Sequence, residues 1–185
     1  KFNSNGSFIT KWGSYGSGGG QFIYPQALAV APDGFVYVVD TYNHRVQKFD
    51  ANGNFFAKWG SSGSSNGQFN YPQSIAVALD GSVYVADANN DRIQKFNSNG
   101  SFITKWGSYG SGDGQFSYPM GITVAPDGSV YVADTDNSRI QKFDSNGNFI
   151  TKWGNSGSDD GQFYHPGGIA VALDGSVYVM DTKNN

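Results

Sequence analysis

The sequence contains no cysteine and no glutamate, and none of its apolar runs approaches the roughly 20 residues of a membrane span. Without cysteine, neither disulfides nor thiol chemistry is available, which fits a cytoplasmic protein and equally an exported bacterial one. The sequence has 12 lysines and arginines and 15 aspartates, which gives a formal net charge of −3. The basic residues are dispersed and form no stripe, so we expect neither a nucleic-acid partner nor a membrane partner.

Glycine, aromatic residues and regular repetition dominate the chain instead. The sequence holds 26 Gly, 14 Phe, 11 Tyr and 4 Trp in 185 residues, which suits many short strands joined by tight turns. One aspartate recurs at steps of 47 residues, without insertion or deletion, as Asp33, Asp80, Asp127 and Asp174. A period between about 20 and 50 residues is typical of a repeat architecture.

One repeat predicts four strands, which we label A to D. Residues 121–125 and 130–134 are β-rich runs separated by an Asp-Gly turn, and residues 139–143 and 149–153 flank a second turn at Asn146-Gly147. Four antiparallel strands form a propeller blade. A lone blade cannot bury both of its faces, so neighbouring blades must stack around an axis.

These residues carry a family resemblance. The pattern IAVxxDGxVYVADxxNxRIQKF, followed by FxxKWG and GQFxxP, resembles the NHL repeat of bacterial and animal β-propellers, and it extends over essentially the whole chain. The resemblance implies a propeller with strand A nearest the axis, and family members usually close with about six blades. It implies little about activity, because propellers serve many functions.

We therefore predict an all-β propeller of four NHL-like four-stranded antiparallel blades. The predicted blades are residues 21–60, 68–107, 115–154 and 162–181, the last completed by residues 1–13 from the other end of the chain. Such a split blade would close the ring and remove exposed edges. Two alternatives remain open: the chain belongs to a longer array, or its open ends pair with another copy.

Recurring polar residues are interpreted as structural. An aspartate at the end of strand B is followed five residues later by an arginine, and we expect ion pairs that tie the loops together among Asp40, Arg45, Asp87, Arg92, Asp134 and Arg139. The tryptophan that ends each strand D is expected to pack between blades. Two histidines at different repeat positions do not match a three-ligand zinc site, so we expect no metal and no cofactor.

The loops between strands B and C, and those that enter strand A, vary from repeat to repeat. Because strand direction alternates, both sets lie on one face of the disc, and function tends to reside in loops on a rigid scaffold. The candidate ligand-binding residues on this face are Gln26, Tyr42, His44, Gln73, Asn89, Asp91, Met120, Asp136, Ser138, His165 and Lys183.

The function predicted from these loops is non-catalytic binding or scaffolding, with a protein, a peptide or a glycan as partner. No catalytic residue is assigned. One alternative is a structural unit that self-associates through the split blade, or a fragment of a longer NHL array. The other is a metal-dependent propeller lyase or hydrolase, which we consider the weaker interpretation because neither histidine matches such a site residue by residue.

Overall fold

A computed structural model of the chain describes residues 1–184. Within them, sixteen strands alternate with three single-turn 3-10 helices at Thr41–Asn43, Ala88–Asn90 and Thr135–Asn137. The strands are β1 (Ser14–Tyr15), β2 (Gln21–Phe22), β3 (Pro25–Val30), β4 (Val36–Asp40), β5 (Arg45–Phe49), β6 (Phe55–Trp59), β7 (Ser74–Val77), β8 (Val83–Asp87), β9 (Arg92–Phe96), β10 (Phe102–Trp106), β11 (Pro119–Val124), β12 (Val130–Asp134), β13 (Arg139–Phe143), β14 (Phe149–Trp153), β15 (Pro166–Val171) and β16 (Val177–Asp181).

The strands assemble into the predicted four-stranded antiparallel sheets. Strands β3 to β6, β7 to β10 and β11 to β14 form three sheets in chain order, and β15 pairs with β16. Turn chemistry explains the hairpins: Gly128 has φ +84°, and the Asp127 carboxylate accepts the Ser129 N–H at 2.8 Å. The chain is therefore an all-β repeat array with one sheet per repeat.

Neighbouring sheets stack face to face, as the repeat period predicted. One buried cluster joins Tyr37 and Val39 of the first sheet to Ile75 and Val83 of the second. A second cluster joins Tyr84 to Ile122 and other residues of the third sheet. The core of the molecule is thus a series of inter-sheet layers, each of which depends on two adjacent repeats.

Each strand-D tryptophan packs on the following repeat, in agreement with the sequence-based interpretation. The ring of Trp59 lies 5.9 Å from that of Phe96 and 6.0 Å from that of Tyr37, centre to centre. It also covers Gly100, where an added Cβ would lie 2.6 Å from the indole. Glycine at this turn is needed both for its positive φ and for the close approach of the indole.

The two ends of the chain lie against different sheets. Residues 1–12 form a short hairpin with a Phe2–Phe8 bridge, and Trp12 lies 6.1 Å from Phe49 of the first sheet. At the other end β15 and β16 pack on the third sheet. Within residues 1–184, β16 pairs only with β15, and no strand pairing joins it to residues 1–13.

Candidate functional site

The variable loops are held by a buried polar network that recurs in three repeats. In the first, one carboxylate oxygen of Asp40 accepts hydrogen bonds from Arg45 Nε at 2.7 Å, Asn43 Nδ2 at 2.9 Å and Gln47 Nε2 at 3.0 Å. The same geometry is built around Asp87 and Asp134. All three aspartates are fully buried. The ion pairs therefore form within each repeat and are structural.

Burial and hydrogen bonding act in opposite directions on these carboxyl groups. Burial raises the pKa of Asp87 and of Asp134, while backbone N–H groups of Asn70 and Ser117 donate to them and oppose the rise. Arg45 also donates through Nη2 to the carbonyls of Gly18 and Gln21, at 2.9 and 2.8 Å. The arginine thus fastens the loop entering strand A to the loop leaving strand B.

The residue preceding each strand-A proline has a left-handed backbone. Tyr24, Tyr71, Tyr118 and His165 have φ between 48° and 55°, which is uncommon for residues with a side chain. Two of the predicted ligand residues support this conformation across repeats. His44 Nδ1 accepts the Tyr71 N–H at 3.2 Å, and Asp91 Oδ1 accepts the Tyr118 N–H at 2.8 Å.

Four tyrosines, two exposed and two half-buried, form a cluster on the variable face, which we call the tyrosine rim (Tyr24, Tyr42, Tyr71 and Tyr118). The ring centres of Tyr24 and Tyr42 are 4.7 Å apart, and those of Tyr42 and Tyr71 are 5.1 Å apart. Tyr24 and Tyr42 remain 67% and 50% exposed. Burial raises the pKa of the Tyr118 hydroxyl, and the nearby Asp136 carboxylate raises it further.

An open pocket of about 590 Å³ lies along the inner strands. Gln26, Gln73 and Met120, all predicted ligand residues, line it. Gln73 Nε2 donates to the Tyr118 hydroxyl at 3.3 Å, which joins the pocket to the tyrosine rim. Gly121 and Gly167 also line the pocket, and their backbones approach each other closely. An added Cβ at Gly121 would collide with the Gly167 carbonyl.

The remaining predicted ligand residues lie at different depths. Asp136 Oδ1 is 3.3 Å from His165 Nδ1, and both belong to loops of the variable face. Asn89 is exposed, and Lys183 Nζ lies 5.5 Å from the centre of the Tyr164 ring. Ser138 is 5% exposed and has a left-handed backbone, so it offers little surface to a ligand.

Groups of three or more metal-ligating side chains are absent from residues 1–184. The same residues include no helix with the length and apolarity needed to cross a membrane.

A family model of the NHL repeat matches residues 22–49, 69–96 and 116–143. These spans cover strands A to C of the three complete sheets. Three repeats of the chain are therefore NHL repeats. No curated protein sequence matches the chain.

Solved structures similar to this NHL chain include virginiamycin B lyase from Staphylococcus aureus, with 17% identity over 87% of this chain and 50% of that one, and a TM-score of 0.67. Hydrazine synthase from Kuenenia stuttgartiensis has 20% identity over 91% and 49%, with a TM-score of 0.64. A nidogen/laminin complex has 18% identity over 85% and 56%, with a TM-score of 0.62. At these identities the likeness establishes the propeller fold, and the chain spans about half the length of these structures.

The fold thus brings some of the predicted ligand residues together, whereas others make structural hydrogen bonds or are buried. Gln26, Gln73 and Met120 converge at the pocket, and Tyr42 belongs to the tyrosine rim. Tyr24, Tyr71 and Tyr118 were not among the predicted site residues, because their Tyr-Pro context recurs in three repeats and the prediction selected positions that vary. The signal available in the sequence was their position in the loops that enter strand A, which were assigned to the variable face.

Proposed function

We propose that this NHL propeller is a non-catalytic binding module whose tyrosine rim and pocket engage a protein or peptide. The observation that supports the proposal is the exposed contact between Tyr24 and Tyr42 on the variable face. Tyrosine offers a large contact area with only two side-chain torsions, so it loses little conformational entropy on binding. Binding sites are enriched in such residues for this reason.

The rigid support beneath the rim favours binding by a preformed surface. Asp40, Arg45 and Gln47 fix both loops from below, so the tyrosines are oriented before a partner arrives. A preorganised surface avoids much of the ordering cost of association. Among the similar structures, the nidogen/laminin complex is one in which proteins associate, which makes a protein partner a reasonable candidate here.

The test is a binding screen against peptide and glycan arrays, using the intact chain. We expect peptide ligands whose affinity falls at least about tenfold in Tyr42→Ala, as for an interface hot spot. Tyr15→Ala is the matched control, because Tyr15 is 80% exposed but belongs to β1 rather than to the rim. Binding only to glycans would contradict a peptide partner and indicate a glycan instead. Equal losses of affinity in Tyr42→Ala and Tyr15→Ala would contradict the tyrosine rim as the binding site.

The absence of catalytic activity is part of the same proposal. It is supported by the engagement of both histidines, since His44 Nδ1 accepts the Tyr71 N–H and His165 Nδ1 lies 3.3 Å from Asp136. The competing interpretation is a metal-dependent lyase or hydrolase. Stoichiometric zinc uptake that is lost in His165→Ala would favour that interpretation over ours.

We propose that each chain supplies four blades of sequence, three of them complete and one divided between residues 162–181 and 1–13. The sequence supports it because the half-repeats at the two ends are complementary, and the split blade could form within one ring or between molecules. A longer NHL array is the alternative, and the roughly twofold greater length of the similar structures is consistent with it. Cross-linking of the two ends, described next, separates these arrangements.

A further inference from the structure

A tyrosine of strand B locks each sheet to the next one. Tyr37 is fully buried, and its hydroxyl donates to the Ser98 carbonyl of the second sheet at 3.1 Å. Lys48 Nζ donates to the same carbonyl at 2.9 Å. Between the second and third sheets, Tyr84 makes the equivalent bond to Ser145 at 3.2 Å and is 1% exposed.

The second and third sheets each receive a tyrosine from the preceding sheet. The first sheet has the equivalent surface, but no tyrosine is inserted there. We call this surface the open socket (Lys1, Trp12, Leu28, Val30, Val36 and Ala51), an almost wholly apolar pocket of about 280 Å³. Lys1 Nζ already donates to the Ala51 carbonyl at 2.9 Å, as Lys95 does to Ser145. Leu28 is 64% exposed, whereas Ile122, its counterpart beside Tyr84, is 5% exposed.

The chain also carries a strand-B tyrosine that is not inserted into any sheet. Tyr178 on β16 is 64% exposed, whereas its counterparts Tyr37, Tyr84 and Tyr131 are 0%, 1% and 7% exposed. In the complete sheets the strand-B tyrosine pairs in register with the lysine of strand C, as Tyr84 does with Lys95. The residue equivalent to Lys95 that stands at the open socket is Lys1.

We propose that Tyr178 of one copy of the chain inserts into the open socket of a second copy. Strands β15 and β16 of the first copy and residues 1–12 of the second then complete one four-stranded blade. The inserted ring would contact Trp12, and its hydroxyl would donate to the Ala51 carbonyl, as Tyr84 does to Ser145. The open socket shares Leu28 with the 590 Å³ pocket but no residue with the tyrosine rim, so Tyr178→Ala and Tyr42→Ala test the two proposals separately.

A second copy is favoured over closure of one chain on itself. In the single chain Leu28 and Tyr178 are both exposed, so the socket and the tyrosine do not meet. The chain also spans only about half the length of the similar structures, and a second copy would supply a matching length of repeats. The contact is head-to-tail, so it either closes into a ring or continues as a chain of molecules.

The first test measures the mass of the chain in solution over a range of concentrations by light scattering. We expect assembly, and we expect Tyr178→Ala to weaken it at least about 30-fold, as for an interface hot spot. Because Tyr178 is exposed in the single chain, the variant should keep the thermal unfolding of the isolated chain. Tyr15→Ala should assemble normally, and a wild-type chain that stays monomeric throughout would overturn the proposal.

Mixing two variants tests which surfaces meet. Tyr178→Ala keeps the open socket, whereas Val30→Asp keeps the tyrosine and places a charge in the socket, at a position already 62% exposed. Each variant alone should be monomeric, and an equimolar mixture should give a heterodimer with one junction. Failure of the mixture to associate, when both variants are folded by circular dichroism, would contradict the pairing.

An engineered disulfide distinguishes a junction between two molecules from closure of one chain on itself. Val83 and Phe96 are register partners, and their counterparts across the proposed junction are Val177 and Phe2. The chain has no cysteine, so Phe2→Cys with Val177→Cys introduces one defined pair. Covalent multimers on non-reducing gels support our proposal. A cross-linked monomer would overturn it in favour of a self-closed ring.

Discussion

The Nδ1 atom of His44 accepts a hydrogen bond from the backbone N–H of Tyr71, which belongs to the next repeat, at 3.2 Å. In the following repeat Asp91 performs the same task for Tyr118 at 2.8 Å. Two side chains of different chemistry thus fulfil one requirement, which is an acceptor for the backbone N–H of a left-handed residue. Positions that vary in sequence are conserved here in their physical role.

This relationship predicts the effect of replacing His44. His44→Ala leaves the Tyr71 N–H without its acceptor and should lower the free energy of unfolding by about 1–2 kcal/mol. His44→Asp, which copies the second repeat, should retain most of the stability. Urea unfolding monitored by tryptophan fluorescence measures both changes. Equal losses in the two variants would contradict a hydrogen-bonding role.

The buried ion pairs should contribute far more than exposed ones. Arg92→Ala leaves the fully buried Asp87 carboxylate without its 2.7 Å partner and should cost about 3–5 kcal/mol. The control is Lys152→Ala, because Lys152 and Asp113 form a pair at 2.6 Å whose side chains are 42% and 56% exposed. That exposed pair should contribute less than about 1 kcal/mol. Chemical denaturation of both variants decides the comparison.

Two aspartates in the turns between strands C and D should make the stability of the fold depend on pH in acid. Hydrogen bonds from Asn54 and Asn148 lower the pKa of Asp50 and Asp144, respectively, below the ordinary value of 3.8. Their contribution to stability is therefore complete above that value and is lost as the pH falls through the lowered pKa.

Asn97, the counterpart of these two aspartates, accepts equivalent backbone bonds at 3.0 and 2.9 Å without titrating. The double variant Asp50→Asn with Asp144→Asn should thus remain folded at pH 7 and lose less stability than the wild type below about pH 4. Thermal unfolding across this pH range measures the difference. Parallel pH profiles for the two proteins would refute the assignment.

The packing of Trp59 on Gly100 predicts a position-specific cost for an added methyl group. Gly100 and Gly81 have φ of +84° and +82°, so alanine at either position carries the same backbone strain, about 1–2 kcal/mol. A Cβ at Gly100 would also lie 2.6 Å from the indole, whereas one at Gly81 meets its nearest atom at 3.7 Å. Gly100→Ala should therefore be the more destabilising by about 1–3 kcal/mol, measured by denaturant titration.

Strands B, C and D could be predicted to the residue from the sequence, because alternation and Asp-Gly or Asn-Gly turns act locally. Residues 130–134, 139–143 and 149–153 are strands in the structure as predicted. Strand A was predicted to begin at residue 121, but β11 begins at Pro119. Its first pair, Pro119 with Asp134, precedes a bulge, and a bulge interrupts the alternation on which the prediction relied.

Burial could not be predicted from the sequence in the same way. Residues 1–18 and 95–112 are identical in sequence, yet Phe2 is 64% exposed and Phe96 is fully buried. The difference comes from the adjacent sheet and not from the segment itself. The role of His44 was missed for the same reason, because its hydrogen-bond partner lies in another repeat. Comparing the repeats shows only that His44 is replaced by Asp91 at the equivalent position, and not what either side chain binds.

The layered core has a consequence for how the molecule opens. Each sheet contacts only its neighbours, so the free energy of opening a sheet is set by the one or two interfaces that it must break. Strands β8 and β9 have buried residues at every position, whereas β16 alternates between half-buried and exposed ones. Amide hydrogen exchange should therefore be slowest in the middle sheet and advance inward from both ends. In an assembled ring this gradient would disappear, because every sheet would then have two neighbours.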